Sequence, residues 1–167
     1  NSDNNLQNNS IYTKTLKSYF EMVALLQEHW IFQKAATIEP FQMIRKFRNI
    51  TSCPNGYDVV MEELNVKSAF FNGARLARVF GGAIGVMVID DGLDPSEPLQ
   101  IDKIRKDGLK EIKLYEKPLL EILNYDDTTS LSATNYTHYR INTEKSLIIH
   151  KSRVLEFKGD QTLSSYG

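Results

Sequence analysis

The sequence predicts an α+β fold, with helices first and a mostly antiparallel sheet after them, on three observations. Apolar residues recur at three-to-four spacing as far as Phe80. Two adjacent glycines, Gly81 and Gly82, then close the helical pattern. Beyond them the period shortens to that of strands, in short apolar runs separated by turn residues. With 167 residues, 41% of them hydrophobic, the chain has enough apolar material for one domain with a real core.

The elements follow in order. Five of the first ten residues are Asn, and residues 1–11 read as a disordered tail. From Thr13, a plausible N-cap, Leu16, Tyr19, Phe20, Val23 and Leu26 share one face of a helix running to about Trp30 or on to Ala36. A second, basic helix is expected after Pro40, with that proline in its first turn and Phe41, Ile44 and Phe47 on one face. Residues 51–56 (Thr-Ser-Cys-Pro-Asn-Gly) are a loop. One long helix is then expected from about Asp58 to Phe80.

Ala83 to Ile89 is an almost continuous apolar, β-branched run, which predicts a buried strand. Asp90-Asp91-Gly92 breaks it, and Pro95 and Pro98 prolong the loop. Leu109 to Tyr115 alternates as a half-buried strand does. Residues 118–123 fit a strand or a short helix, and 124–135 are a polar loop. Strands are expected at Tyr136–Ile141, Leu147–Ile149 and Val154–Phe157. Tyr19, Val23, Leu64, Phe70, Phe71, Ala74 and Phe80 are expected to pack the helices onto Ile84, Val86 and Val88. The domain is placed at 12–160, with 161–167 a linker toward a further C-terminal part.

Composition excludes several classes of function. The net charge of −1 lacks the basic excess of a dedicated nucleic-acid binder. A single cysteine, Cys53, cannot form an internal disulfide framework or a multi-cysteine metal site, and it points to a reducing compartment. No apolar run is long enough to span a membrane. The N-x-S/T triplets at Asn8, Asn49 and Asn135 carry no weight without a secretory signal.

Chemistry is sought first at His150-Lys-Ser152-Arg153, the polar corner between the last two strands. Two-histidine phosphoesterases pair two H-x-T/S elements, in which histidine moves a proton and the hydroxyl steadies a phosphate. This chain has one such element. His29 is followed by Trp30-Ile31 and His138 by Tyr139-Arg140, so neither completes a pair. His150, Ser152 and Arg153 therefore read as a structural corner that satisfies backbone and carboxylate groups. No catalytic residue is assigned.

The acidic loop Asp90, Asp91, Asp94 and Glu97 offers oxygen ligands of the kind calcium takes. Its glycine falls at the wrong position for a calcium loop and Pro95 stiffens it, so it reads as a solvated turn, with no metal and no cofactor. Gly81-Gly82-Ala-Ile-Gly85 ends a helix and opens a strand, the reverse of a phosphate loop, and it lacks the lysine. Arg45, Lys46, Arg48, Arg75 and Arg78 are candidate subunit or DNA contacts. Acidic residues interleaved with them favour subunit contacts.

Read as an ordered set, these motifs resemble the portal protein family of tailed bacteriophages and prophages. The set comprises Met43-Ile-Arg45-Lys46, Asn72 to Gly82 leading into the strand to Ile89, and Asp90-Asp91-Gly92 through Leu99. It ends with Tyr139-Arg-Ile141 followed by Ile149-His150-Lys-Ser152-Arg153-Val154 and Phe157-Lys-Gly159. The order holds over roughly residues 12–160. The resemblance implies a structural, non-enzymatic α+β wing region at the N-terminal side of a portal subunit. In the full-length protein it implies a homo-oligomeric ring of about twelve subunits. Terminase, capsid and head-completion proteins would be its partners. Double-stranded DNA would pass the channel without being bound specifically by this region. The places implied are the host cytoplasm during assembly and then the portal vertex of the virion. The alternative is the non-catalytic N-terminal region of a two-histidine phosphodiesterase-type anti-defence protein, or such an enzyme itself, using His150 and Ser152.

Overall fold

A computed structural model describes residues 18–47, 56–123 and 137–159. The expected tail, the linker, Cys53 and the asparagines of the three triplets lie outside these residues, as does the expected cap at Thr13.

Helix α1 (Tyr19–Glu28) starts at Ser18, which forms a capping box with Glu21. The Glu21 N–H donates to Ser18 Oγ at 3.3 Å and the Ser18 N–H donates to Glu21 Oε2 at 2.8 Å, satisfying two donors that a helix start leaves open. His29 is extended and separates α1 from α2 (Trp30–Arg45). Gln33 Nε2 reaches back to the Gln27 carbonyl at 2.8 Å and closes that junction. Pro40, expected to start a helix, lies inside α2 and is buried against the rest of the domain. Packing of Ala36, Pro40 and Ile44 holds the helix through the hydrogen bond that proline removes.

The long helix expected from Asp58 is two helices, α3 (Tyr57–Glu63) and α4 (Val66–Phe80). Asn65 divides them with a left-handed backbone, φ 48°, a conformation Asn accepts more readily than most residues. Helix α4 ends at Gly81, φ 77°, the glycine C-cap the sequence predicts.

The strands are β1 (Gly82–Ile89), β2 (Leu109–Glu116), β3 (Leu120–Leu123), β4 (His138–Ile141), β5 (Leu147–His150) and β6 (Val154–Lys158). The fold is α+β, and all strand pairs are antiparallel. The expected single sheet is two three-stranded sheets, ordered β2-β1-β6 and β3-β4-β5. The chain passes from one to the other twice, through short 3₁₀ turns at Lys117–Leu119 and Lys151–Arg153. Strands that turn a corner in this way let two sheets share one core.

That core lies between the sheets. Ile84 and Val86 of β1 meet Tyr139, Ile141 and Ile149 of β4 and β5, with Tyr115, Leu120 and Val154 around them. Ile141 and Ile149 are the largest fully buried side chains. This corrects the expected packing of Ile84 and Val86 on the helices. Strand side chains alternate, and it is the odd-numbered face of β1 that meets the helices. On that face Phe157, opposite Ala83, sits where a Cβ on Gly73 of α4 or on Gly85 of β1 would press on its ring. Phe70 of α4 meets the same ring edge-on at 5.5 Å between centroids. The order of layers is therefore helices, first sheet, second sheet.

Candidate functional site: an acidic loop clasped to the sheet corner

The corner at Lys151–Arg153 carries polar groups on a short turn whose backbone must leave one sheet and enter the other. Arg153 is 3% exposed. Its Nη2 donates to Asp91 Oδ2 at 2.7 Å and its Nε donates to the Glu97 carbonyl at 2.8 Å. Asp91 Oδ1 also accepts the Leu93 N–H at 3.2 Å. The Arg153 hydrogen bond, with help from Leu93, holds the Asp91 carboxyl below its ordinary range, against the opposing effect of burial.

Ser152 Oγ accepts the Leu99 N–H at 2.8 Å. The same hydroxyl lies 2.8 Å from His150 Nδ1, and the Ser152 N–H donates to that nitrogen at 3.2 Å. The His150 N–H donates to the Pro95 carbonyl at 2.9 Å. The acidic loop is thereby tied down at Asp91, Pro95, Glu97 and Leu99. Within the loop Asp94 takes both the hydroxyl and the N–H of Ser96, which lowers its pKa, the hydroxyl contributing most. Asp90 and Glu97 present exposed side chains.

The fold adds a residue that sequence spacing left out. His138 lies directly opposite His150 in the β4–β5 pair, and the two rings meet edge-on at 5.1 Å between centroids. The sequence holds no H-x-S/T element at His138, yet Thr137 Oγ1 lies 2.7 Å from its Nδ1. His138 Nε2 lies 3.0 Å from the Ser96 carbonyl, an acceptor only, so that nitrogen carries the proton. Its Nδ1 then accepts from Thr137. In the same way His150 Nδ1 accepts from Ser152. A general base needs a lone pair directed at a substrate. On both rings the Nδ1 lone pair is already engaged by a hydroxyl of the chain. What the arrangement does is fasten a loop to a corner.

The other candidates lie elsewhere. Gly81 and Gly82 form the turn between α4 and β1. Arg78 is used inside the chain, with Nε donating to the Ala35 carbonyl at 3.2 Å and Nη1 paired with Glu39, which ties α4 to α2. Arg75 Nε is buried without a hydrogen-bond partner among the described residues. Lys46 follows the last residue of α2, and Arg48 lies outside the described residues. Arg45 lines a groove of about 480 Å³ between α2 and α4, with Phe41, Ile44, Lys67 and Phe71. Sequence reading also missed the outer surface of α2, where Trp30, Ile31, Ile38 and Phe41 are exposed. Their spacing was a usable signal, because α2 carries apolar residues on more of its surface than its helix neighbours α1 and α4 cover.

Among the described residues no group of three His, Cys, Asp or Glu side chains could hold a metal ion. No helix of those residues is long and apolar enough to cross a membrane. No curated protein matches the chain in sequence. A family described as phage portal protein matches residues 20–166, which takes in all but the first residue of the described helices, both sheets and the clasped loop. The chain belongs to the phage portal protein family, a structural and non-enzymatic one.

Proposed function

We propose that this chain is the wing region of a portal subunit, part of a ring of about twelve copies at the vertex where head and tail connect. Double-stranded DNA is packaged and ejected through that ring, with no specific DNA contact made by this region. Terminase, capsid and head-completion proteins are its partners, first in the host cytoplasm and then in the virion. The observation that carries this reading is the family match across nearly the whole chain. The geometry at His150 supports it, because the histidines that a phosphodiesterase would need are engaged in holding the loop.

Native mass spectrometry and negative-stain imaging of the full-length protein test the reading. A ring of about a dozen subunits is expected. A protein that stays monomeric at all concentrations would count against it. So would phosphodiester turnover that His150→Ala abolishes while the fold stays intact.

A further inference from the structure

Helix α2 has two apolar faces. Ala36, Pro40 and Ile44 are buried on the side toward α4. On the outer side Ile31, Lys34, Ile38, Phe41 and Arg45 follow one another at spacings of three and four, the pattern of a helix-pairing seam, whose last two members also border the groove beside α4. Every one of the five is exposed, and the three apolar members are more than half exposed. Within the seam sit two cations, Lys34 and Arg45, and neither has a carboxylate partner among the described residues.

Helix α3 is the complement. Tyr57, Met61 and Leu64 are half-buried on its inner side. Its outer side presents Asp58, Val59, Glu62 and Glu63, with Val59 56% exposed. Those three carboxylates also lack a cation partner among the described residues. One surface is therefore apolar and basic, the other apolar and acidic, and the same chain carries both. Single exposed apolar residues need no explanation, but a continuous apolar seam along a helix marks a binding site.

We infer that the outer face of α2 on one copy of this chain receives the outer face of α3 on another copy. Val59 packs against Ile38 and Phe41, and Glu62 and Glu63 face Lys34 and Arg45. The occupant is a second copy because the charges match and because the chain belongs to a family of structural assembly proteins. A contact between two unlike surfaces is the kind that closes into a ring. The inference rests on the portal reading above and assigns it a surface.

Two charge reversals in the full-length protein test it, Lys34→Glu with Arg45→Glu, and Glu62→Lys with Glu63→Lys. All four side chains are exposed, and thermal melts verify that each variant folds. Each variant alone places like charges in contact, and its assembled fraction by mass photometry should fall at least about tenfold. An equimolar mixture should recover assembly, because the reversed α2 of one variant then meets the reversed α3 of the other. Assembly of either variant at the wild-type level overturns the inference, and so does a mixture that stays apart. A ring that tolerates both reversals would give this face to a different partner while leaving the portal reading intact. Only a wild-type protein that never assembles would remove the portal reading itself.

Discussion

Gly73→Ala sets two rules against each other, and the structure decides between them. Gly73 is inside α4, where replacing glycine by alanine is worth about 1 kcal/mol of added stability. A Cβ at that position would lie 2.6 Å from Cε2 and Cζ of Phe157 and 2.8 Å from Cδ2. Carbon atoms prefer separations of about 3.5–4.0 Å, so the ring must retreat by about 1 Å. It has little room to do so. Phe70 meets it edge-on, and the ring also packs against β1, where a Cβ on Gly85 would come within 3.3 Å of its Cε2. Overpacking of this kind costs about 1–3 kcal/mol. The sum is a net loss of about 1 kcal/mol, or a fall in Tm of about 2–4 °C. Thermal and urea unfolding of the variant measure it. The decisive comparison repeats Gly73→Ala in a Phe157→Leu background, where the obstruction is gone and the helix preference alone should make alanine stabilising. A double-mutant cycle isolates the coupling. If Gly73→Ala stabilises the wild type, or has the same effect in both backgrounds, the packing argument fails.

Three further outcomes follow from the same structure. Arg153→Met should destabilise the protein most near neutral pH. The depressed Asp91 carboxyl contributes stability that is present above about pH 4 and is lost as pH falls through its lower folded-state value, so the two proteins should converge in acid; a gap independent of pH would show that the pair is not the cause. Tyr19→Phe should speed amide exchange in α1 about tenfold, because the Tyr19 hydroxyl donates to Glu116 Oε1 at 2.6 Å and α1 buries no residue fully. That bond raises the phenol pKa, the direct hydrogen bond contributing most, so in the wild type the attachment is present below about pH 10 and is lost as pH rises through the raised value. Ile149→Ala should cost about 2–5 kcal/mol by urea unfolding, whereas Leu147→Ala on the same strand, 39% exposed, should cost less than about 1 kcal/mol.

What the sequence made legible is local. The step from α4 through Gly81 into β1 is written in neighbouring residues, as a helical period, a glycine that accepts a left-handed backbone and a β-branched run. Helix boundaries were harder to read where a neighbouring surface decides them. Pro40 looks like a helix start, but packing of Ala36 and Ile44 carries the helix through it. Asn65 is a polar residue in a helical pattern until its left-handed backbone divides α3 from α4. The cap of α1 is Ser18 and not Thr13, and its signal, Ser-Tyr-Phe-Glu, stands in the sequence as a capping box. Partners distant along the chain were out of reach. Nothing near His150 reveals that His138 will lie opposite it, because strand register places it there. Asp91 and Arg153 are 62 positions apart, and their pairing follows from the path of the loop between β1 and β2.

The two sheet corners have a mechanical consequence. An ordinary two-layer packing can slide, since only side-chain contacts hold one layer on the other. Here the backbone itself crosses between the layers at Lys117–Leu119 and at Lys151–Arg153, from opposite edges of the first sheet. A shearing load on the second sheet therefore passes along two covalent paths into the strands on either side of β1. The arginine clasp braces one of those paths at its bend.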